Sequence, residues 1–352
     1  MRNIDLTIND IAFGGKGVGR DNGKAVFIPY TIDGERVSAR VAREKKQFAE
    51  AEVTEILEPS QHRVSAPCPY FGRCGGCSYQ HISYDHQLEI KARQVEQAMR
   101  RIARLENPPM RPIVPSPESY EYRNRITVHA ERDVVGFYRR DVHELMDIEH
   151  CPISMPEVNR ALAELRASRP RDGHYSLRAH SGPRVFAQTN DAVAEAIAAF
   201  IASILPDNGK FLIDAFCGAG FFSKRLASKF ERVLGIDWDR FAIDAARKNA
   251  QPNETYIAGD VALELEKASR SGGFQIADAL LLDPPATGLT GEMRQAVLNV
   301  SPQTLIYVSC NPPTLARDIA ELRQCFSVVS ITPFDMFPQT AEIEVVAHLV
   351  AD

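Results

Sequence analysis

From Phe211 onward the chain repeats one pattern four times: a short apolar run that stops at a polar, glycine-rich or proline-locked corner. Phe211-Leu212-Ile213-Asp214 runs into AFCGAGFFS, Arg232 to Ile236 stops at Asp237, Ala279 to Leu282 stops at Asp283-Pro284-Pro285, and Leu305 to Val308 stops at Ser309-Cys310-Asn311-Pro312-Pro313. Helical patterns separate the runs. Strands that alternate with helices return through crossovers, so the pattern predicts a parallel, doubly wound α/β sheet. In such a sheet ligands sit at the carboxyl ends of the strands, where each of these corners falls. Gly218 and Gly220, between a strand and a predicted helix over Phe221 to Phe230, let a nucleotide cofactor approach the backbone. Asp237, about twenty residues further on, is placed to take ribose hydroxyls, and Gly259-Asp260 to meet an adenine edge. Cys310, at the end of its strand and ahead of a helix starting near Thr314, becomes a candidate nucleophile.

The 352 residues allow two or three domains, and 44% hydrophobic with 25% charged content is ordinary for a globular chain. A net charge of −5 carries no global nucleic-acid signature, so any RNA contact must be local. No apolar run reaches about 18 residues, and MRNIDLTIND has no signal-like core, so the expected setting is the cytosol, without a membrane partner. There, seven cysteines point to metal ligands or nucleophiles rather than disulfides.

Residues 1–58 read as five short strands with a glycine-rich turn over Ala12 to Arg20, suited to a small closed barrel of the oligonucleotide-binding kind. Residues 59–180 read as a β-rich middle. It opens with Cys68, Cys74 and Cys77 in a C-x₅-C-x₂-C array, for which Cys151 is the candidate fourth ligand; four thiolates suit zinc or an iron–sulfur cluster by count. His81 and His86 lie nearby. Asp85 to Leu105 is predicted helical, with Leu88, Val95, Met99 and Ile102 apolar and Lys91, Arg93, Arg100, Arg101 and Arg104 on other positions. Asn107 to Pro117 reads as a linker. A strand is expected to open at Tyr122, and Arg123, Arg125, Arg139 and Arg140 interleave with Tyr120, Tyr122, Phe137 and Tyr138, a composition suited to unpaired bases and phosphates. Residues 181–352 form the predicted catalytic domain. Cys217 and Cys325 are expected to be core.

The barrel segment resembles a TRAM domain, best in the glycine loop carrying Lys16 and Arg20. The loop D-x-x-C-G-x-G with a strand-end acid is similar to the Rossmann-like class I S-adenosylmethionine-dependent methyltransferases. Over nearly the whole chain the sequence resembles the RNA 5-methyluridine methyltransferase family, in its branch with a TRAM barrel and an iron–sulfur cluster. The resemblance rests on the cysteine array with Cys151, YRNR at 122–125, FAQTN at 186–190, DAFCGAG at 214–220, DPP at 283–285, SCNPPTLARD at 309–318 and FPQTAEIE at 337–344. It implies Cys310 as nucleophile, Glu344 as general base, Gln188, Phe216, Asp237 and Asp283 around S-adenosylmethionine, and a [4Fe–4S] cluster on Cys68, Cys74, Cys77 and Cys151. The implied substrate is a uridine of structured RNA, 23S ribosomal RNA first and transfer RNA as the alternative, handled by a monomer.

The chain departs from the family pattern at Asp237 for a glutamate, Ala286 for an arginine after DPP, Pro313 for an alanine, and Gln339 and Glu342 where histidines are common. Two other readings remain. An amino-methyltransferase would place an aromatic after a Pro-Pro pair, but Ala286 and Thr314 stand there. A non-catalytic RNA-binding protein would bind RNA without forming an adduct at Cys310.

Overall fold

The computed structural model describes residues 2–140, 142–180, 188–270 and 277–352, without the side chains of 269 and 270. The segment from Ser181 to Ala187, including the first two residues of FAQTN, lies outside the described residues. The chain divides into two units.

The first unit comprises Met1–Gln94, Pro117–His180 and Phe337–Glu342. Its barrel is built from β1 (Asn3–Ile11), β2 (Lys16–Asp21), β3 (Lys24–Pro29), β4 (Arg36–Glu44) and β5 (Phe48–Glu58), closed in the order β1-β2-β3-β5-β4. Alternation puts Ile4, Leu6 and Ile8 inside with Val26, Ile28, Val37 and Ala39. Half of the predicted glycine turn is instead strand. A Cβ on Gly17 would meet Thr31 Oγ1 at 2.0 Å, and one on Gly19 would meet Leu6 Cδ1 at 2.1 Å and the Thr7 carbonyl at 2.7 Å. Close approach of strands in a small barrel, rather than turning, therefore accounts for these two glycines.

Helix α1 (Tyr84–Arg101) ends earlier than its pattern predicts, and Ile102 is exposed. Lys91 is not on a basic outer face. It is fully buried and donates to the Phe337 carbonyl at 3.0 Å. The same helix pairs Gln87 reciprocally with Gln339, through Gln87 Nε2 to Gln339 Oε1 and Gln339 N to Gln87 Oε1, each at 3.0 Å. Thus the glutamine that replaces a common histidine is locked by amide geometry, with Tyr122 Oη donating to the adjacent Pro338 carbonyl at 2.9 Å.

The unit's second sheet has the order β8-β7-β6-β9, from β6 (Arg125–Glu131), β7 (Val134–Tyr138), β8 (Leu145–Asp147) and β9 (Gly173–Arg178). Helix α2 (Pro156–Ala167) covers one face through Val158 and Leu162 against Ile126, Val128 and Val135. The predicted strand opening at Tyr122 begins three residues later, because Tyr122 is buried and committed to Pro338. Phe137 packs on the covered face, so it is no partner of the arginines.

The second unit comprises Val95–Ser116, Ser181–Met336 and Ile343–Asp352. Its strands are β10 (Gly209–Ala215), β11 (Phe230–Asp237), β12 (Glu254–Ala258), β13 (Ala279–Leu282), β14 (Thr304–Ser309), β15 (Phe326–Phe334) and β16 (Glu344–Ala351). Its helices are α3 (Asp191–Ile204), α4 (Phe221–Leu226), α5 (Arg240–Arg247), α6 (Val261–Arg270), α7 (Gly291–Val300) and α8 (Pro312–Leu322). The sheet order is β12-β11-β10-β13-β14-β16-β15, parallel from β12 to β14, with β16 antiparallel to β14 and to β15. Near-continuous apolar strands such as Ala279–Leu282 follow from cover on both faces. The predicted linker lies along the edge strand: Arg111 N donates to the Ile331 carbonyl and Val114 N to Pro333, both at 2.9 Å, which satisfies an otherwise open edge. Cys325 is exposed, not core, because α8 ends at Leu322 and leaves it in the following turn. Cys217 is buried as expected. Among the described residues no helix is long and apolar enough to cross a membrane.

Candidate functional site

The strand order reverses between β10 and β13, which connect onward to opposite sides of the sheet, and the crevice of such a fold opens at their carboxyl ends. Most of the sequence-predicted residues lie along this one edge of the second unit. β10 delivers Phe216 and Gly218, β11 delivers Asp237, β12 leads to Asp260, β13 to Asp283, and β14 to Cys310. Backbone bonds knit the corners together: Cys217 N to the Ile236 carbonyl at 3.1 Å, Gly259 N to Asp237 at 2.9 Å and Asp283 N to Ala215 at 3.3 Å.

The loop after β10 is strained. Phe216 has φ 64° and Gly220 φ 80°, and a Cβ on Gly220 would meet Tyr256 Oη at 2.7 Å. Above Gly218 a Cβ would meet nothing within 4 Å, so the backbone there is open to a ligand. Asp237 is shorter than the family's glutamate, and both its oxygens receive backbone donors, from Gly218 N and Asp239 N, each at 2.8 Å. Asp260 caps α6 through Leu263 N at 3.0 Å while its residue stays exposed. Gln188 comes from a different place, the half-buried segment two residues before Asn190, which caps α3.

Sequence reasoning assigned no role to Asp214 or Asp318. Asp214 is fully buried and accepts from Ser223 N at 2.9 Å and from the Ser223 hydroxyl. Burial, only partly offset by Ser223, pushes its carboxyl up to about 7. Asp283 keeps a little surface as a residue, but its carboxyl is enclosed. Burial and then the charges of Asp214 and Asp237 push it up to about 7 as well. Three carboxylates in one crevice favour a cationic ligand. A carboxyl raised in this way gives stability that is full below the ordinary carboxylate range and is lost as pH rises through about 7. Asp214→Asn removes that loss, of order a few kcal/mol. The thermal midpoint of the wild type is therefore expected to fall more steeply than the variant's between about pH 5 and about pH 8, measured by calorimetry on the ligand-free protein.

Asp318, also fully buried, binds Tyr307 Oη and Leu289 N at 2.8 Å, with Arg294 at 3.0 Å and Arg317 at 2.9 Å. Arg317 also donates to the Thr287 carbonyl at 3.0 Å, and Thr314 Oγ1 to Ala286 at 3.1 Å. The loop after Asp283, which lacks the family's arginine at 286, is thus anchored from α8. The signal was present in the ARD of SCNPPTLARD, but a carboxylate amid a helix reads as solvated until its partners are known.

Cys310 is half-buried, between β14 and Asn311, whose Oδ1 accepts from Thr314 N at the start of α8. Pro312 and Pro313 occupy the first helical positions, where a missing N–H costs nothing. The antiparallel β14–β16 ladder ends with Ser309 opposite Val345. Directly beyond this last pair come Cys310, in the bend after β14, and Glu344, the first residue of β16. Glu344 is buried, at 5% exposure.

In the first unit the four cysteines of the array are half-buried and within electrostatic reach of one another. Burial first, and neighbouring thiolates including Cys151 after it, push Cys68 and Cys74 up and Cys77 to about 12. Gly76 N lies 3.4 Å from Cys74 Sγ, and Asn159 brackets Cys151 through its N–H at 2.8 Å and its carbonyl at 3.0 Å. Among the described residues no three His, Cys, Asp or Glu side chains converge as ligands of a single metal ion. His86 bonds Asp33 and Glu89 instead, and burial lowers His81 to about 4.

The switch-point crevice, the glycine corner and the acid-tipped strands define a class I S-adenosylmethionine-dependent methyltransferase fold. The sequence model of the tRNA (uracil-5-)-methyltransferase family matches residues 171–351, just over half of the 352, and the chain belongs to that family. A TRAM domain matches residues 2–54. An uncharacterised RNA methyltransferase of Bdellovibrio bacteriovorus is 30% identical, over 99% of this chain and 95% of its own. One from Thermosynechococcus vestitus is 29% identical, over 98% and 97%. The crystal structure of Pyrococcus abyssi tRNA (uracil-54, C5)-methyltransferase in complex with S-adenosyl-L-homocysteine superposes with TM-score 0.73 at 23% identity, covering 99% of this chain and 100% of that one. The protein is an S-adenosylmethionine-dependent RNA uracil-C5 methyltransferase.

Proposed function

We propose that the enzyme methylates C5 of one uridine in structured RNA, through a covalent bond between Cys310 and C6 of the base. The observation that carries this reading is that Cys310 and the buried Glu344 each follow the last pair of the β14–β16 ladder, at the edge where the acid-tipped strands end. S-adenosylmethionine, when bound, supplies an electrophilic methyl group on a sulfonium. The residues present suit it: open backbone over Gly218, and Asp237 and Asp283 with Asp214 behind them for its positive charge. Phe216, Asp260 and Gln188 complete the proposed cofactor set.

Uracil C5 is a poor nucleophile. Addition of Cys310 Sγ to C6 moves electron density onto C5, which then takes the methyl group. Glu344 accepts the C5 proton, the C5–C6 double bond re-forms, and Cys310 leaves as thiolate. The N-terminal dipole of α8 favours that anion. The base must be unpaired or flipped to reach the site. The test supplies purified protein with methyl-labelled S-adenosylmethionine and unmodified total RNA. The expected product is 5-methyluridine; label on adenine or on protein alone excludes the reading.

The proposed substrate is 23S ribosomal RNA, which the four-cysteine branch supports. Transfer RNA is the second reading, favoured by the superposition on a transfer RNA enzyme. Mapping 5-methyluridine in both RNAs from cells with and without the gene separates them. The proposed organisation is a barrel over 1–58, a cluster-bearing middle over 59–180 and a catalytic domain over 181–352, working as a cytoplasmic monomer.

Cys68, Cys74, Cys77 and Cys151 would hold a [4Fe–4S] cluster. A single zinc draws its sulfurs to about 3.8 Å from one another, given Zn–S near 2.3 Å. A cubane spreads them, because each sulfur binds a different iron. Four thiols within electrostatic reach of one another are a donor set that either could take, and the four-cysteine branch favours the cluster. Bound there, the cluster would tie residues 68–77 to Cys151. Anaerobically purified protein is expected to be brown and to carry iron and acid-labile sulfide in about equal amounts; zinc in their place excludes the cluster.

A further inference from the structure

The β8-β7-β6-β9 sheet has two unlike faces. Helix α2 covers one with an apolar core. Register sets the other: Arg125 opposite Arg178, Thr127 opposite Ser176 and His129 opposite His174, with Tyr138 reaching the same face from β7. Thr127, Ser176 and His174 are exposed, and Arg125, His129, Tyr138 and Arg178 are half-buried. The rings form a row, a ledge of tilted steps. His143 stacks on Tyr138 at 4.2 Å and 20°, His129 leans on Tyr138 at 4.6 Å and 49°, and His174 lies 6.5 Å from His129 at 54°. At one end of the ledge three guanidinia are gathered. Burial, then the charges of Arg178 and Arg123, lower the pKa of Arg125. Among the described residues, Glu131 on this face accepts from Tyr138 Oη at 2.6 Å, and Asp147, on the outer strand, pairs with Arg166.

We propose that this open face binds an unpaired RNA segment, with nucleobases stacked on the Tyr138–histidine ledge and phosphates held at Arg123, Arg125 and Arg178. The inference rests on the RNA reading above and gives it a location. Charge complementarity selects a polyanion, and ring faces select bases freed from a duplex, since a duplex offers phosphates and 2′-hydroxyls but no base faces.

The test uses the full-length protein and a fluorescent single-stranded oligouridine of about a dozen nucleotides, within the range of such sites, with anisotropy read at several salt concentrations. Tyr138→Ala is expected to weaken binding at least about tenfold, the loss of one stacked base. Tyr138→Phe, which keeps the ring and loses only the Glu131 bond, stays within about twofold. Arg178→Ala lowers the slope of log affinity against log salt by about 0.7. Unchanged affinity for S-adenosylmethionine reports that each variant is folded. The proposal is overturned if Tyr138→Ala binds like the wild type, if Tyr138→Phe falls as far as Tyr138→Ala, or if a duplex of the same length binds more tightly. Should the wild type form 5-methyluridine while Tyr138→Ala binds normally, this surface fails and the methylation reading stands. Ring-dependent RNA binding without 5-methyluridine gives the opposite result.

Discussion

Cys310→Ser is expected to lower 5-methyluridine formation by at least about 10⁴-fold, or about 5.5 kcal/mol of barrier. A hydroxyl in the same place is far less ionised than a thiol and far less nucleophilic, so the addition at C6 does not occur and C5 never becomes reactive. The loss is expected in kcat with little change in RNA affinity, because the sulfur acts after binding. RNA carrying 5-fluorouridine supplies the complementary readout. Fluorine at C5 cannot leave as a proton does, so the wild type should stay bonded to the RNA through denaturing gel electrophoresis and the serine variant should not. An amino-methyltransferase keeps its activity in Cys310→Ser, and a non-catalytic RNA-binding protein forms no adduct in either form. One substitution with two readouts thus separates three mechanisms.

How much of this was legible beforehand depends on what each residue reports. The sheet was legible because four apolar runs end in acids, glycines or prolines, and parallel strands covered on both faces leave that mark whatever packs on them. Cys310 and Asp283 were legible because Pro-Pro corners fix them at strand ends. That Glu344 opens the strand paired with β14 was not, since it depends on the register of an antiparallel strand more than thirty residues away, which no local pattern encodes. Lys91 misled for the opposite reason: a helix position that holds a distant carbonyl looks the same in sequence as one that faces water. Arg125 and Tyr138 were singled out by composition, but only the pleat separates them from Phe137, which lies on the covered face. Asp318 stood in its motif without a role, because three of the groups it joins, the Tyr307 hydroxyl, Arg294 and the Leu289 N–H, lie outside that motif.

Glu344→Gln is expected to stop the cycle one step later than the cysteine variant, and that difference is diagnostic. The amide is close in size and keeps hydrogen-bonding capacity, so the buried end of β16 should fold as before. Addition of Cys310 and methyl transfer do not need a base at C5; release does. Without a carboxylate to accept the C5 proton, elimination slows by about 10²- to 10⁴-fold, the usual contribution of a positioned base. Methylated RNA should therefore accumulate on the protein, one label from S-adenosylmethionine per adduct, and survive denaturation. The double variant Cys310→Ser with Glu344→Gln should show no adduct and no more loss of turnover than Cys310→Ser alone, because a base has nothing to act on when no bond to C6 has formed. If Glu344→Gln instead turns over without accumulating adduct, the proton leaves by another route, to water or to a different carboxylate. The role of Glu344 would then be one of packing rather than proton transfer.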